Sequence, residues 1–129
     1  MILLDIITAH IIGDYFLQPK KMAISKNKSI LWCFIHCIIY TVSMSLFLYP
    51  KNNWALTLFI FSSHYAIDSF SLAHYWLKLI RGRDVIKAAY SISEPQRDID
   101  LSFSCIVYVV VDNAMHLIPT LYLAKGLFE

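Results

Sequence analysis

Charged residues are scarce in this chain of 129 residues, because Lys, Arg, Asp and Glu together make up only 16% of it. A soluble domain of this length usually carries about 25% charged residues. The net charge of +2 is too small to indicate a nucleic-acid partner. The three cysteines all fall in apolar segments and predict no extracellular disulfide framework. The sequence is 58% hydrophobic with a mean hydropathy of +0.58, which favours a membrane protein with the lipid bilayer as its partner.

Four apolar segments alternate with short polar ones, and they cover residues 1–17, 30–49, 54–77 and 101–124. Segments two to four have the roughly 20 residues that a spanning helix needs, whereas the first is short. The polar stretch at residues 81–100 is the one long loop, with a short interfacial helix predicted over residues 84–90. The sequence therefore predicts an all-α fold: a polytopic membrane protein with a bundle of about four transmembrane helices, in one domain over residues 1–129.

Basic residues are distributed unevenly between the connecting loops. Of the 11 Lys and Arg residues, four lie between segments one and two and five between segments three and four. Only Lys51 and Lys125 fall elsewhere. The positive-inside rule then places both basic loops in the cytoplasm and both termini outside it.

Three pairs of His and Asp, each with a spacing of four residues, lie inside the apolar segments. The pairs are His10 with Asp14, His64 with Asp68, and Asp112 with His116. On a helix, positions i and i+4 share a face, so each pair points its imidazole and carboxylate the same way. Another imidazole, His36, lies in the second segment. Counted from the cytoplasmic helix ends, these residues lie at comparable depth, which predicts one polar layer.

Lys and Arg residues do not fall well inside the apolar segments, so no cationic side chain is expected to neutralise Asp14, Asp68 and Asp112. Unpaired ionised carboxylates are prohibitively costly in a low-dielectric interior. Protonation, a water-filled cavity or a bound cation would relieve this cost. Imidazole and carboxylate donors suit zinc, iron or manganese, and we expect one or two divalent ions with zinc as the first candidate. The predicted ligands are His10, Asp14, His36, His64, Asp68, Asp112 and His116.

Each of these residues also has a purely structural interpretation. A His in a membrane helix often only forms a hydrogen bond with a neighbouring helix. Cys33 and Cys37 share a face beside His36, but buried cysteines are usually small packing residues. His74 is expected to lie at the membrane interface rather than to bind a metal. The common depth of the His/Asp pairs favours the metal site.

The order of these motifs resembles a known family. The chain has A-H-x3-D-x3-Q from Ala9 to Gln18, a His in the second segment, H-x3-D in the third, and Asp112-Asn113-x2-His116 near the end. This order is similar to that of the bacterial and phage membrane family catalogued as domain of unknown function 3307. Asn113 stands where that family typically has Gln. The resemblance implies a small polytopic protein of the inner membrane, comparable with membrane metal-dependent hydrolases.

The leading functional hypothesis is metal-dependent hydrolysis of a membrane-associated, lipid-like substrate, because a bound metal lowers the pKa of its water to about 7. Asp14 or Asp112 would act as a ligand or general base, and His36 as a ligand or general acid. The alternatives are a metal-ion or proton conduit and a metal-stapled membrane interaction module. A homo-oligomer is compatible with each of them, because four helices make a small enclosure.

Overall fold

The computed structural model describes residues 2–49, 51–82, 84–90 and 94–128, and within these ranges it contains helices and no strand. The predicted all-α fold is confirmed. The helices are α1 (Ile2–Ile11), which continues into a π-helical turn (Ile12–Phe16), α2 (Lys20–Ser25), α3 (Ile30–Leu48), α4 (Trp54–Ser69), α5 (Leu72–Arg81), α6 (Val85–Ala89) and α7 (Glu94–Phe128). The chain forms two compact units, one comprising Met1–Phe70 with His116–Glu129 and the other Ser71–Met115. The single domain stays a prediction.

Two stretches among the described helices are long and apolar enough to cross a membrane: α3 and the Arg97–Leu127 part of α7. The sequence predicted one continuous helix over residues 54–77, the third apolar segment. This prediction is wrong, because the structure divides the segment into two helices. Helix α4 ends at Ser69, and Ser71 adopts a left-handed conformation with φ of 50° before α5 begins. The apolar pattern continues across this break, so hydropathy alone does not reveal it.

The region predicted as a long loop is largely helical in the second unit. Helix α7 begins at Glu94 rather than at residue 101. Its first turns contain charged residues, so their low hydropathy had assigned them to the loop. The predicted short helix is confirmed as α6, whose N-terminus is capped by Asp84. The Asp84 carboxylate accepts hydrogen bonds from the N–H groups of Ile86 and Lys87 at 3.0 and 3.3 Å. Desolvation raises the pKa of Asp84, but these donors and the Lys78 ammonium bring it below its ordinary value.

An apolar cluster in the first unit indicates in which direction the helices of this unit run relative to one another. It joins the beginning of α1, the end of α3, the beginning of α4 and the end of α7. Neighbouring helices in this order therefore run antiparallel, and their other halves, which carry the His and Asp residues, meet at the opposite end. The cluster consists of Ile6, Ala9, Tyr40, Met44, Leu48, Leu56, Ile60 and Ala124.

Helices α1 and α3 approach closely at Gly13. A Cβ at this position would lie 3.0 Å from Cδ2 of Tyr40 and 3.2 Å from its Cα. The missing side chain lets the two backbones come together, as small residues do between membrane helices. Gly13 and Asp14 both lie in the π-helical turn, a local widening that often occurs at functional sites. The turn and the close approach together set the position of Asp14.

Candidate metal centre

Four donor atoms converge at the polar end of the first unit, from the side chains that we call the four-donor set: Asp14, His36, His64 and Asp68. The Nε2 atom of His36 lies 2.9 Å from Nε2 of His64. The same atom lies 3.0 Å from Oδ1 of Asp14 and 3.2 Å from Oδ2 of Asp68. His64 Nε2 lies 3.4 Å from that Asp14 oxygen and 3.3 Å from that Asp68 oxygen. All four side chains are buried, so the predicted polar residues of three helices meet at one point.

Five of the six separations within the set are close to the edge length of a metal coordination tetrahedron. Donors bound to zinc at about 2.0–2.1 Å in tetrahedral geometry are about 3.3–3.4 Å apart. The five separations above range from 2.9 to 3.4 Å. Two groups with metal-ligand geometry overlap at His64: one has His36 and Asp68, and the other has Asp14 and His116. These buried His and Asp side chains could therefore hold a metal ion.

Hydrogen bonds within the four-donor set do not satisfy all of its polar atoms. A single ring N–H serves one acceptor well, whereas Nε2 of His36 faces two carboxylates and another imidazole. Asp14 Oδ1 and Asp68 Oδ2 have no hydrogen-bond partner of good geometry among the described residues, and the same holds for Nε2 of His116. A buried polar atom without a partner costs about 1–3 kcal/mol. A cation between the donors would remove this cost.

His10 and Tyr40 support the four-donor set from the side of α1 and α3. His10 Nδ1 lies 3.0 Å from the Tyr40 hydroxyl and 3.3 Å from Oδ2 of Asp14. The Tyr40 ring stacks on His64, with ring centroids 3.7 Å apart. Neither of the two ligand groups above includes His10, and its contacts are those of a residue that orients a ligand. Tyr40 follows His36 by four residues and so lies on the same face of α3, a pattern in the sequence that could have identified it as a neighbour of the site.

Lys26 shows that one expectation was wrong, namely that no cationic side chain reaches the buried carboxylates. Its Nζ lies 2.8 Å from Oδ2 of Asp68, and its side chain is 19% exposed. Residue 26 belongs to a basic loop by hydropathy, but the long Lys stem can carry its ammonium into the interior. Lys26 compensates one of the two carboxylates in the four-donor set. The remaining charge of the Asp14, Asp68 and Lys26 group is −1 with neutral imidazoles.

Gln18 also reaches the four-donor set from this region of the chain. Its side-chain nitrogen lies 3.2 and 3.3 Å from the two ring nitrogens of His36, so its N–H can donate to one of them. Residues 18–26, which we call the strap, thus contact the set at both ends. Between the ends, α2 packs on α3 with Met22 buried. The sequence pattern marks Gln18 only as the last residue of A-H-x3-D-x3-Q and does not predict this contact.

The other residues considered in the sequence analysis are not members of the four-donor set. Nε2 of His116 lies 3.7 Å from Oδ1 of Asp68, and its ring centroid is 4.1 Å from that of His64. Asp112 is half-buried, one helical turn before His116 on α7, and belongs to the second unit. His74 on α5 is half-buried with its ring against Tyr75. Cys33 and Cys37 are buried free thiols.

A family model with the description "Protein of unknown function (DUF3307)" matches residues 2–128. The match spans nearly the whole chain and includes the four-donor set and the strap. No curated protein and no solved structure matches the chain.

Proposed function

Because the chain belongs to the family described as "Protein of unknown function (DUF3307)", whose description names no reaction, we propose a function from the site itself. We propose that the protein is a membrane-embedded, metal-dependent hydrolase acting on a membrane-associated substrate. The observation that carries this proposal is the convergence of two imidazoles and two carboxylates, all buried, with the spacing of metal ligands. The exterior of the protein and the neighbours of the site support it.

The exterior of the first unit supports a membrane location. Large apolar side chains are exposed on its helices, including Leu4 (68%), Ile30 (79%) and Leu46 (70%), while the His and Asp residues are buried. Soluble monomers rarely expose contiguous apolar patches of more than a few hundred Å². We infer that α1, α3, α4 and α7 all cross the inner membrane. Helix α4 has 16 residues, about 24 Å, and α1 has 10 residues followed by the 5 of its π-helical turn. Both therefore span the bilayer core of about 30 Å only with their flanking residues.

The neighbours of the site favour a catalytic over a structural metal. Catalytic zinc sites keep three protein ligands and leave the fourth position for water. In the four-donor set, Oδ2 of Asp68 already has the Lys26 ammonium at 2.8 Å, which weakens it as a ligand. We therefore propose that His36, His64 and Asp14 would hold the ion and that Asp68 would act on water instead of binding the metal. A divalent ion, with zinc as the first candidate, would supply a water with a pKa of about 7.

The proposed reaction consumes one water molecule. The water oxygen bonds to the acyl or phosphoryl centre of an ester, the ester bond breaks, and a proton from the water passes to the leaving alcohol. We propose that Asp68 takes that proton first as the general base, through Oδ1, since the Lys26 ammonium pairs with Oδ2. His10, held by the Tyr40 hydroxyl, orients Asp14 through its second oxygen.

A continuous line of contacts is the observation that would favour a proton conduit instead. It runs through side chains separated by 2.8–3.3 Å: Tyr40, His10, Asp14, His36, Asp68 and Lys26. A conduit needs polar groups from one membrane face to the other. Beyond Tyr40, however, the line meets the apolar cluster, where Met44 and Ile60 are the next buried residues of that cluster. The apolar cluster at this point of the line favours the hydrolase over a conduit.

The protein purified in mild detergent is expected to carry about one divalent ion per chain and to hydrolyse an amphiphilic ester only when loaded. The test combines elemental analysis with hydrolysis assays on 4-nitrophenyl dodecanoate and dodecyl 4-nitrophenyl phosphate. Both are carried out on the purified protein, after chelation, and again after Zn²⁺, Fe²⁺ or Mn²⁺ has been added back. Folded protein without metal would refute the metal site. Bound metal without turnover of either ester would point to the interaction module.

We also propose that both termini lie outside the cytoplasm, because the basic loops lie at the opposite ends of the helices. Lys28→Cys and Lys51→Cys test this at two exposed positions, one at each end of α3. The background is Cys105→Ser, since Cys105 is exposed while the other two thiols are buried. A membrane-impermeant maleimide is expected to label position 51 in intact cells and position 28 only after permeabilisation. The reverse pattern would invert the orientation.

A further inference from the structure

Helix α5, in the second unit, has an exposed apolar surface of its own. Five large apolar or aromatic side chains are exposed on its 10 residues, and the most exposed of them, Leu79, is 80% exposed. At about 100° per residue, the five positions fall within an arc of roughly 140°. We call this arc the α5 face, and its residues are Leu72, Tyr75, Trp76, Leu79 and Ile80.

The rest of the circumference of α5 is polar or buried. His74 lies nearly opposite the centre of the α5 face, and Lys78 lies roughly 60° beyond one edge of it. The Lys78 ammonium is 3.8 Å from a carboxylate oxygen of Asp84 and its side chain remains 57% exposed. Beyond the other edge, Ala73 and Leu77 are buried. The helix is therefore amphipathic, with its apolar face exposed.

The length of α5 excludes it as a membrane span. Ten residues extend about 15 Å, half of the bilayer core of about 30 Å. Helix α5 does not continue α4 either, because Ser71 with its φ of 50° separates them. Only Phe70 and Ser71 lie between the two helices, so the chain is still at the boundary of the proposed α4 span where α5 begins.

The chemistry of the α5 face fits the layer between the acyl chains and the headgroups of a bilayer. Tyr and Trp are enriched at this level, since their rings are apolar and their polar atoms reach water. Tyr75 and Trp76 are both exposed on the α5 face, beside the aliphatic Leu79. The long stem of Lys78 can lie along the same layer while its ammonium stays in water. Exposure to water alone would be costly for a contiguous apolar surface.

We propose that α5 lies in the plane of the membrane surface, with the α5 face in the bilayer and His74 and Lys78 towards the water. The partner is the phospholipid boundary layer, into which such a helix inserts its apolar face by about 5–10 Å. The inference rests on the membrane location given under the proposed function, and it is independent of the metal and of the reaction. The third apolar segment thus consists of one span followed by one surface helix.

The test measures the depth of Trp76 in a bilayer. Trp32→Phe and Trp54→Phe leave Trp76 as the one tryptophan of the chain. The full-length protein is reconstituted into vesicles of phosphatidylcholine with some phosphatidylglycerol, whose acyl chains carry bromine either near the glycerol or near the methyl end. Bromine quenches tryptophan at its own depth, so Trp76 should be quenched more strongly by bromine near the glycerol.

The control for depth is Ile38→Trp in the same background with Trp76→Phe added. Ile38 is exposed near the middle of α3, and a tryptophan there should be quenched more strongly by bromine near the methyl end. The same deep pattern at Trp76 would make α5 part of a span and overturn the inference. Quenching at position 38 but not at Trp76 would also overturn it, because protein, such as a second copy of the chain, would then cover the α5 face. Absence of quenching at both positions would refute the membrane location itself.

Two adjacent substitutions test the α5 face in the Trp76 background. Leu79→Glu places a carboxylate within the face, so it should weaken the quenching of Trp76 by bromine and shift its emission to longer wavelength. Lys78→Gln removes a charge outside the face and should change either signal little. An equal effect of the two substitutions, or no effect of Leu79→Glu, would contradict the inference. Metal content of the same samples shows separately whether the metal site is present.

Discussion

Replacing His64 by alanine is expected to remove the bound metal ion and to lower the melting temperature in detergent. His64 belongs to two of the groups with ligand geometry, and its ring stacks on Tyr40. Outer partners of a metal ligand contribute about 10- to 100-fold in affinity, so loss of a direct ligand should cost about 100-fold or more. A protein that holds its ion at 100 times the dissociation constant is stabilised by about 2.7 kcal/mol, and this contribution would disappear. Elemental analysis and thermal unfolding of the variant measure the two effects.

The matched control is His74→Ala, the same substitution on the neighbouring helix α5. His74 is half-buried, and its ring contacts Tyr75. Metal content and melting temperature should therefore stay close to those of the parent protein. Full metal content in His64→Ala, or greater damage from His74→Ala, would show that the metal centre has been assigned to the wrong residues.

Asp68→Asn is expected to abolish turnover while most of the metal is retained. The substitution keeps the size of the side chain but removes the proposed general base, a role that contributes about 10²–10⁴-fold to the rate. It also leaves the Lys26 ammonium without its carboxylate. Breaking a buried ion pair from one side costs about 3–5 kcal/mol, and we expect about 3 kcal/mol because the Lys26 side chain keeps 19% exposure.

The double variant Asp68→Asn with Lys26→Met separates these two effects. Removing both partners eliminates the uncompensated charge, so the free energy of unfolding should return towards that of the parent protein. Turnover should remain absent, since the base is still missing. Denaturant unfolding and ester hydrolysis on the same samples distinguish the two contributions. If Asp68→Asn loses its metal as completely as His64→Ala, Asp68 is a fourth ligand and the site is closed, which argues against hydrolysis.

The all-helical fold and the meeting of the His and Asp residues were predictable from sequence for a physical reason. Helical periodicity places positions i and i+4 on one face, so each local pair already defines a direction. The length of an apolar segment fixes the depth of a residue relative to the helix end. Because consecutive helices alternate in direction, comparable depths for His10, His36 and Asp68 predict one layer, with His64 about one turn deeper. None of these steps requires knowledge of the packing.

Helix boundaries were less predictable, because hydropathy does not change where the backbone does. The left-handed Ser71 separates α4 from α5 within one apolar stretch. Conversely, α7 begins at Glu94, in a charged stretch whose composition is typical of a loop. In both places the backbone conformation follows from local hydrogen bonding and tertiary contacts, which a window of average hydropathy does not record.

The sequence by itself determined that this chain is helical, apolar on the outside of its first unit, and polar at a few positions of common depth. Only the tertiary structure decided which atoms meet there. Gly13 and the π-helical turn set how Asp14 enters the set. The packing of α2 on α3 brings Lys26 to Asp68. The sequence had predicted no such contact, because Lys26 lies outside the apolar segments. Periodicity encodes the face and the depth of a residue, but the reach of a long side chain and the rotation of one helix against another depend on contacts between residues far apart in sequence.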